Sequence, residues 1–276
     1  MTLSGPANPR RPAPREQVEI VEALVLLAVS FILLQPAAVL FARLGLGIFG
    51  GTFGGIFGMI AAELLIVLLP SLLFLRHARI APGPALGLTV PPIRAFALAL
   101  VIGAGAFYFV SGGVDLLQSR ALPLPPALKQ QFHDLLLPPS GPRPLALDLL
   151  ALALVPAVCE ELLFRGVLLR ALLRFDRTAA LLFSSLAFGA FHGSLFKLLP
   201  TAAIGLLLAL LALRSASLLP SMLAHAANNT LVIALYRVGY EDPPGAASPL
   251  APIFLLVSLM FIGGGLFFVR PRSPSE

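Results

Sequence analysis

Two adjacent glutamates and an arginine interrupt one of the most apolar stretches of the chain, in the segment CEELLFR at residues 159–165. Glu161 and Arg165 are four residues apart, so on a helix they share one face and can form an ion pair. Glu160 lies about 100° around such a helix from Glu161, which leaves its carboxylate free to face another partner. The spacing predicts that Glu161 and Arg165 brace the helix, whereas Glu160 is available for chemistry.

Later apolar segments carry two histidines and an asparagine with the same spacing. Phe188 and His192 are four residues apart in FGAFH, and His225 and Asn229 are four residues apart in HAANN. A charge or strongly polar group at mid-bilayer is costly and is expected to face the interior of a helix bundle. Each pair therefore presents one polar face to the other helices.

The depths of these groups in their helices agree. Glu160 lies 16 residues before Asp176 and His192 lies 16 residues after it, and Asp176 is at the centre of the predicted turn between their helices. At 1.5 Å per residue, both side chains are roughly 24 Å from the turn. The predicted helix of His225 and Asn229 starts on the same side and brings them within a helical turn of this level. We therefore predict that Glu160, His192, His225 and Asn229 converge.

The composition indicates a membrane protein. Of the 276 residues, 58% are hydrophobic and only 12% are charged, and the mean hydropathy is +0.95. A soluble domain is typically about 45–50% apolar and about 25% charged. The net charge of +6 comes from arginines that flank apolar runs, so it indicates membrane topology and no nucleic-acid partner. We predict an all-α fold, a polytopic membrane helical bundle of about eight transmembrane helices in a lipid bilayer.

A membrane helix needs roughly 20 mainly apolar residues. The predicted spans cover residues 18–42, 48–75, 95–117, 145–172, 178–196, 198–213, 217–237 and 250–269. With the N-terminus inside, the inner segments hold twelve basic residues and the outer segments hold six. The positive-inside rule then predicts that both termini are cytoplasmic. The Ala-, Pro- and Arg-rich composition favours a bacterial inner membrane.

The chain divides into a tail and one membrane domain. Residues 1–17 are basic and proline-rich and are predicted to be a disordered tail, followed by a single integral membrane domain over 18–276. We divide this domain into N-terminal helices with an amphipathic loop (18–144), a catalytic four-helix core (145–237) and a last helix (250–269). The core carries all four converging groups.

Two N-terminal segments have predictable packing. The loop at 118–144 contains PALKQQFHDLLL between proline clusters, which predicts a short surface helix. The glycines of GIFGGTFGGIFG at 47–58 recur every three or four residues, which predicts close contact between helices. The roles of the loop and of Glu63 in the second span stay open.

Three motifs carry a resemblance. EELLFR (E-E-x-x-x-R), FGAFH (F-x-x-x-H) and HAANN (H-x-x-x-N) occur in this order over residues 160–229. Together they resemble the CPBP family of intramembrane proteases, which includes the CAAX prenyl-protein endopeptidases and bacterial Abi-type proteins. The resemblance covers the four spans of the C-terminal half.

The resemblance implies a role for each motif position. Glu160 would be the general base for water, His192 would help to bind that water, and His225 and Asn229 would stabilise the oxyanion. The supporting positions would be Glu161, Arg165 and Phe188.

Metal dependence is a separate question. Glu160, His192 and His225 could supply a zinc site of two histidines and one carboxylate. However, the chain has no H-E-x-x-H motif, and a metal-bound Glu160 would leave no obvious second base. We therefore favour water activated by Glu160 without a cofactor, with zinc as the alternative.

The leading interpretation is an intramembrane endopeptidase that cleaves membrane-associated protein or peptide substrates. One alternative is a non-proteolytic membrane scaffold or immunity-type protein that keeps the motifs for folding. Another is a proton-coupled transporter, in which Glu160 and the histidines would relay protons. Transporters often contain inverted repeats, and the two halves of this chain show no such similarity. The substrate, and whether it is prenylated, stays open.

Overall fold

The protein is described by a computed structural model over residues 20–49, 51–79, 87–137, 143–239 and 251–269. Within these ranges its regular structure is entirely helical. This confirms the predicted all-α bundle. The predicted tail at 1–17 lies outside the described residues.

Nine helices occur within the described ranges. They are α1 (Ile20–Phe49), α2 (51–77), α3 (93–121), α4 (Pro126–Leu136), α5 (145–173), α6 (Arg177–Phe191), α7 (Leu198–Ser215), α8 (Leu218–Arg237) and α9 (Ala251–Phe268). The eight predicted spans correspond to all of these except α4. Helix α4 is the surface helix predicted within the 118–144 loop.

The length and composition of a helix determine whether it can cross a membrane. By length and composition, four of the described helices can cross a membrane: Ile20–Ile48, Phe53–His77, Leu198–Ser215 and Leu218–Arg237. Helix α6 has only 15 residues, which corresponds to roughly 22 Å, less than the hydrocarbon core of a typical bilayer. The described helices therefore fit a membrane bundle without confirming eight crossings.

Prolines inside two helices leave a backbone carbonyl without its usual N–H donor, and a polar side chain of a neighbouring helix donates to that carbonyl instead. Pro70 in α2 has no N–H to donate to the Ile66 carbonyl, and the Ser30 hydroxyl of α1 donates to that oxygen at 3.1 Å. Both this proline and Pro156 of α5 are preceded by wide π-helical turns, at Glu63–Leu68 and Leu149–Leu154. Such turns occur often at functional sites.

Small residues bring the first two helices together. A Cβ atom added at Gly58 would lie 2.5 Å from the Ala38 carbonyl oxygen, and one added at Gly54 would lie 2.6 Å from the Leu46 nitrogen. Glycine is therefore required at both positions for α1 and α2 to approach this closely. The predicted glycine contact is confirmed.

Helix α5 lies at the centre of the bundle, in contact with α1, α2, α6 and α8. All of its residues from Cys159 to Leu169 are buried. A helix that is apolar and buried all round must satisfy its few polar side chains internally. The polar groups of α5 therefore have to find partners on the surrounding helices.

The turn before α6 agrees with the prediction, and the end of α6 does not. The Asp176 carboxylate caps the helix by accepting a hydrogen bond from the Ala179 N–H at 2.7 Å. The predicted span continued to residue 196, whereas α6 ends at Phe191. The reason is Gly193, whose φ of +64° is left-handed and stops the helix directly after His192.

Candidate functional site

The predicted ion pair is present at the centre of the bundle. Arg165 Nη1 donates to Glu161 Oε1 at 2.6 Å, and both side chains are almost fully buried. Arg165 Nη2 also donates to the Gly205 carbonyl of α7 at 2.7 Å. The pair therefore joins α5 to α7, and the spacing argument for these two residues is confirmed.

Phe188 of α6 holds the surrounding side chains together. Arg165 Cζ lies 4.5 Å from the centroid of its ring, a cation–π contact. The rings of His192 and His225 have centroids 5.2 Å and 5.6 Å from that of Phe188, both in edge-to-face orientation. Phe188 therefore brings the two predicted site histidines to the same side chain.

His225 contacts Glu161, not Glu160. Its Nδ1 donates to Glu161 Oε1 at 3.2 Å, since a carboxylate oxygen can only accept from the ring. With the proton on Nδ1, the neutral ring has only an acceptor at Nε2. His225 can therefore donate to an oxyanion through Nε2 only as an imidazolium ion, for which Glu161 supplies the counter-charge.

His192 lies at the C-terminal end of α6. Its Nδ1 is 3.0 Å from the Phe188 carbonyl oxygen, so Nδ1 carries the proton and donates it. The neutral ring then has a free acceptor at Nε2. This tautomer suits a residue that accepts a hydrogen bond from a water molecule.

Glu160 is buried without a complete set of partners. Its side chain is 6% exposed, and its Oε2 has no hydrogen-bond partner. The carboxyl group interacts electrostatically with Glu63, Glu161 and Arg165. Among the described residues, no hydrogen bond joins Glu160 to His192, to His225 or to Asn229. The hydrogen bonds of the described residues therefore do not link Glu160 to the other three predicted site residues.

Glu63 belongs to the same neighbourhood, which the sequence left open. The segment Glu63–Leu68 of α2 packs against Val155–Glu161 of α5. Glu63 is buried, and its Oε2 also lacks a hydrogen-bond partner. Two incompletely paired carboxyl groups therefore face the packed contact between α2 and α5.

Asn229 has a structural partner on α5. Its Nδ2 donates to the Leu152 carbonyl at 3.1 Å, an oxygen to which Pro156 has no N–H to donate. Asn228 Nδ2 in turn donates to Asn229 Oδ1 at 3.1 Å. One N–H of the Asn229 amide is used in this way and the other is available to a ligand.

The described residues contain no assembled set of ligands for the zinc ion of the alternative mechanism. Glu160, His192 and His225 do not form a group that could hold a metal ion in the part of the chain that the structure describes. The Nδ1 atoms of both histidines are already engaged by protein oxygens.

A second buried acidic centre was missed by the sequence analysis. Arg143 Nε donates to Asp148 Oδ1 at 2.6 Å, and Arg237 Nη2 donates to Asp148 Oδ2 and, at 2.6 Å, to the Arg143 carbonyl. The two arginines had been assigned to membrane topology alone. The signal that could have found the cluster is Asp148 itself, the first acidic residue of a predicted apolar span.

Comparison with known proteins agrees with the motifs. A family model described as type II CAAX prenyl endopeptidase Rce1-like matches residues 142–231, about a third of the chain. The match covers α5 to most of α8 and contains every predicted site residue. It confirms the resemblance to the CPBP intramembrane proteases. Searches of curated proteins and of solved structures returned no match.

Proposed function

We propose that this protein is an intramembrane endopeptidase in which Glu160 activates water for attack on a peptide bond. The observation that carries the proposal is the contrast between two adjacent carboxylates. Oε1 of Glu161 accepts hydrogen bonds from Arg165 and His225, whereas no group of the described residues donates a hydrogen bond to Glu160; the Oε2 atoms of both carboxyl groups are buried without a partner. A buried polar atom without a partner is costly, and such atoms are frequent where a side chain must react.

In the proposed reaction, the Glu160 carboxylate takes a proton from water as the water oxygen attacks the carbonyl carbon of the substrate. A tetrahedral intermediate with a negatively charged oxygen forms. Glu160 then returns the proton to the amide nitrogen, the C–N bond breaks, and a carboxylic acid and an amine leave. A single carboxylate thus serves as base and then as acid.

The neighbouring groups supply orientation and charge stabilisation. Nε2 of His192 accepts a hydrogen bond from the attacking water. The free N–H of Asn229 and the imidazolium form of His225 donate to the oxyanion. Glu161, Arg165 and Phe188 hold α5, α6, α7 and α8 in register around the site.

The substrates are membrane-associated proteins or peptides, because the acidic site is buried among apolar helices. The enzyme lies in a bacterial inner membrane with both termini in the cytoplasm, in line with the excess of basic residues in the inner segments.

The proposal is tested by comparing peptide termini across the proteome of host cells that contain the wild type or Glu160→Gln at equal abundance. General acid–base catalysis contributes about 10²–10⁴-fold, so termini that depend on the wild type are expected to vanish in the variant. New termini should lie beside membrane segments or C-terminal tags. Identical profiles, together with a phenotype on deletion, would favour a scaffold and overturn the protease proposal.

The matched control is Asp134→Asn, which changes a carboxyl group on the exposed face of α4. This variant should produce the same termini as the wild type. Equal abundance and equal melting temperature of the three proteins in the membrane exclude misfolding as the cause of lost cleavage.

A further inference from the structure

A glutamine outside the matched segment binds the turn that follows His192. Gln118 near the end of α3 donates through Nε2 to the carbonyls of Leu195, at 3.2 Å, and Phe196. Its Oε1 accepts from the Leu199 N–H at 3.0 Å. The side chain is only 8% exposed. Both ends of one buried amide are therefore committed to residues 195–199.

These bonds replace a missing helix cap. The first N–H groups of a helix have no partner within it, and the side chain of Lys197, the N-cap residue of α7, does not cap them. Gln118 supplies the acceptor from another helix. At the same time it donates to two carbonyls of the turn, of which that of Leu195 also accepts a long bond of 3.4 Å from the Leu198 N–H.

The turn connects Gln118 to the candidate site. His192 is the C-cap residue of α6, and only residues 193–197 separate it from α7. The turn contains Gly193, which has a left-handed backbone conformation and no side chain that could pack against neighbouring residues. An anchor at 195–199 thus fixes the backbone on the far side of His192, while α6 fixes the near side.

We propose that Gln118 is a positioning residue for His192. It acts through the 193–199 turn and keeps the imidazole at the level of Glu160. The inference rests on the proposed function, in which His192 orients the attacking water. It adds a contribution from the N-terminal half of the chain, which the three motifs do not cover.

Helix α4, which follows Gln118, supports the same turn. Lys197 Nζ lies 3.3 Å from the centroid of the Phe132 ring, and Phe132 packs edge-to-face with Tyr236 of α8 at 6.1 Å. The 118–136 segment therefore contacts the turn at two points. This gives the 118–144 loop a role, namely to hold the end of α6 in place.

The test compares Gln118→Leu, which removes all three hydrogen bonds, with Gln118→Glu, which keeps the acceptor for Leu199 and loses the donors. Reactivity of each histidine towards diethyl pyrocarbonate is measured by peptide mass spectrometry on the full-length protein in detergent. The reactivity of His192 should rise several-fold in Gln118→Leu and less in Gln118→Glu. His225, held by Glu161, should not change.

Cleavage is measured on a membrane peptide that contains a terminus generated by the wild type in cells. Because a displacement of about 1 Å can cost about 100-fold, kcat should fall by up to about 100-fold in Gln118→Leu. KM should stay unchanged, since Gln118 is proposed to act on the residue that orients the attacking water and not on a group that binds the substrate. The control is Gln130→Leu on α4, an exposed glutamine whose amide donates to Asp134 on the same helix.

The two proposals fail in different ways. If Gln118→Leu folds and leaves both His192 reactivity and kcat at wild-type values, the positioning role is overturned while the protease proposal stands. If His192 reactivity rises but no Glu160-dependent cleavage exists, the positioning role stands and the proposed function fails. A fall in kcat with unchanged His192 reactivity would also overturn the positioning role.

Discussion

Helix α5 carries two buried acidic centres that differ in how they are paired. At its N-terminal end, Asp148 is fully buried and each of its oxygens accepts from an arginine. At the middle of the helix, Glu160 is buried as well, yet its Oε2 has no partner. The two carboxyl groups are 12 residues apart, roughly 18 Å along the helix.

This difference in pairing indicates which carboxyl group has a structural role and which is available for chemistry. Arg143 and Arg237 neutralise Asp148 and also bind backbone carbonyls, so this cluster ties α4 and α8 to the start of α5. Glu161 has the same kind of role at the centre, where Arg165 and His225 occupy it. Among the described residues, Glu160 accepts no hydrogen bond from a protein group, unlike Asp148 and Glu161, which leaves its carboxyl group available to bind water.

The largest expected effect on stability comes from breaking the central pair. Arg165→Leu leaves the Glu161 charge buried without its main partner and should lower the free energy of unfolding by about 3–5 kcal/mol. Unfolding in mixed micelles, followed by circular dichroism, measures this. The double variant Arg165→Leu/Glu161→Gln removes the stranded charge and should recover part of the loss. A double variant no more stable than the single one would contradict the account.

The next effect comes from the other acidic centre. Asp148→Asn removes a charge that accepts from two arginines, and should cost about 1.5–3 kcal/mol. The loss is smaller because Arg143 and Arg237 keep their bonds to backbone carbonyls, and because Arg237 is partly exposed. The same unfolding assay applies. The exposed substitution Asp134→Asn should change stability by less than about 0.5 kcal/mol.

The smallest effect concerns the helix end that carries His192. Gly193→Ala places a side chain at a φ of +64° with no atom within 4 Å of the new Cβ, so only backbone strain of about 1–2 kcal/mol is expected. Thermal unfolding in detergent measures it. Gly55→Ala is the control, because Gly55 is helical and its added Cβ also meets no atom. There alanine should be neutral or stabilising, by up to about 1 kcal/mol.

Local spacing was enough to predict part of this arrangement. Long apolar runs located eight of the nine described helices, and the four-residue interval between Glu161 and Arg165 predicted their ion pair. Both depend only on the geometry of one helix in an apolar solvent. The same reasoning placed the turn between α5 and α6 around Asp176.

The sequence alone could not predict the contacts that depend on how one helix is rotated against another. The depth argument put His225 at the level of both glutamates, but only the orientation of α8 directs it to Glu161. The depth of Asn229 followed from helical spacing, but its bond to Leu152 depends on a carbonyl to which Pro156 has no N–H to donate. Neither Gln118 nor Asp148 belongs to a motif. The partners of Gln118 are distant in the sequence. The partners of Asp148 are arginines that flank apolar runs, which the sequence indicates only as topology signals.

The most direct test measures Glu160→Gln and Asp148→Asn side by side in native membranes, for both Glu160-dependent termini and thermal stability. The account predicts that Glu160→Gln loses the termini and keeps wild-type stability, whereas Asp148→Asn loses stability and its folded fraction still generates the termini. Termini that persist in Glu160→Gln, or that disappear from folded Asp148→Asn, would contradict the assignment of chemistry to Glu160 and of structure to Asp148.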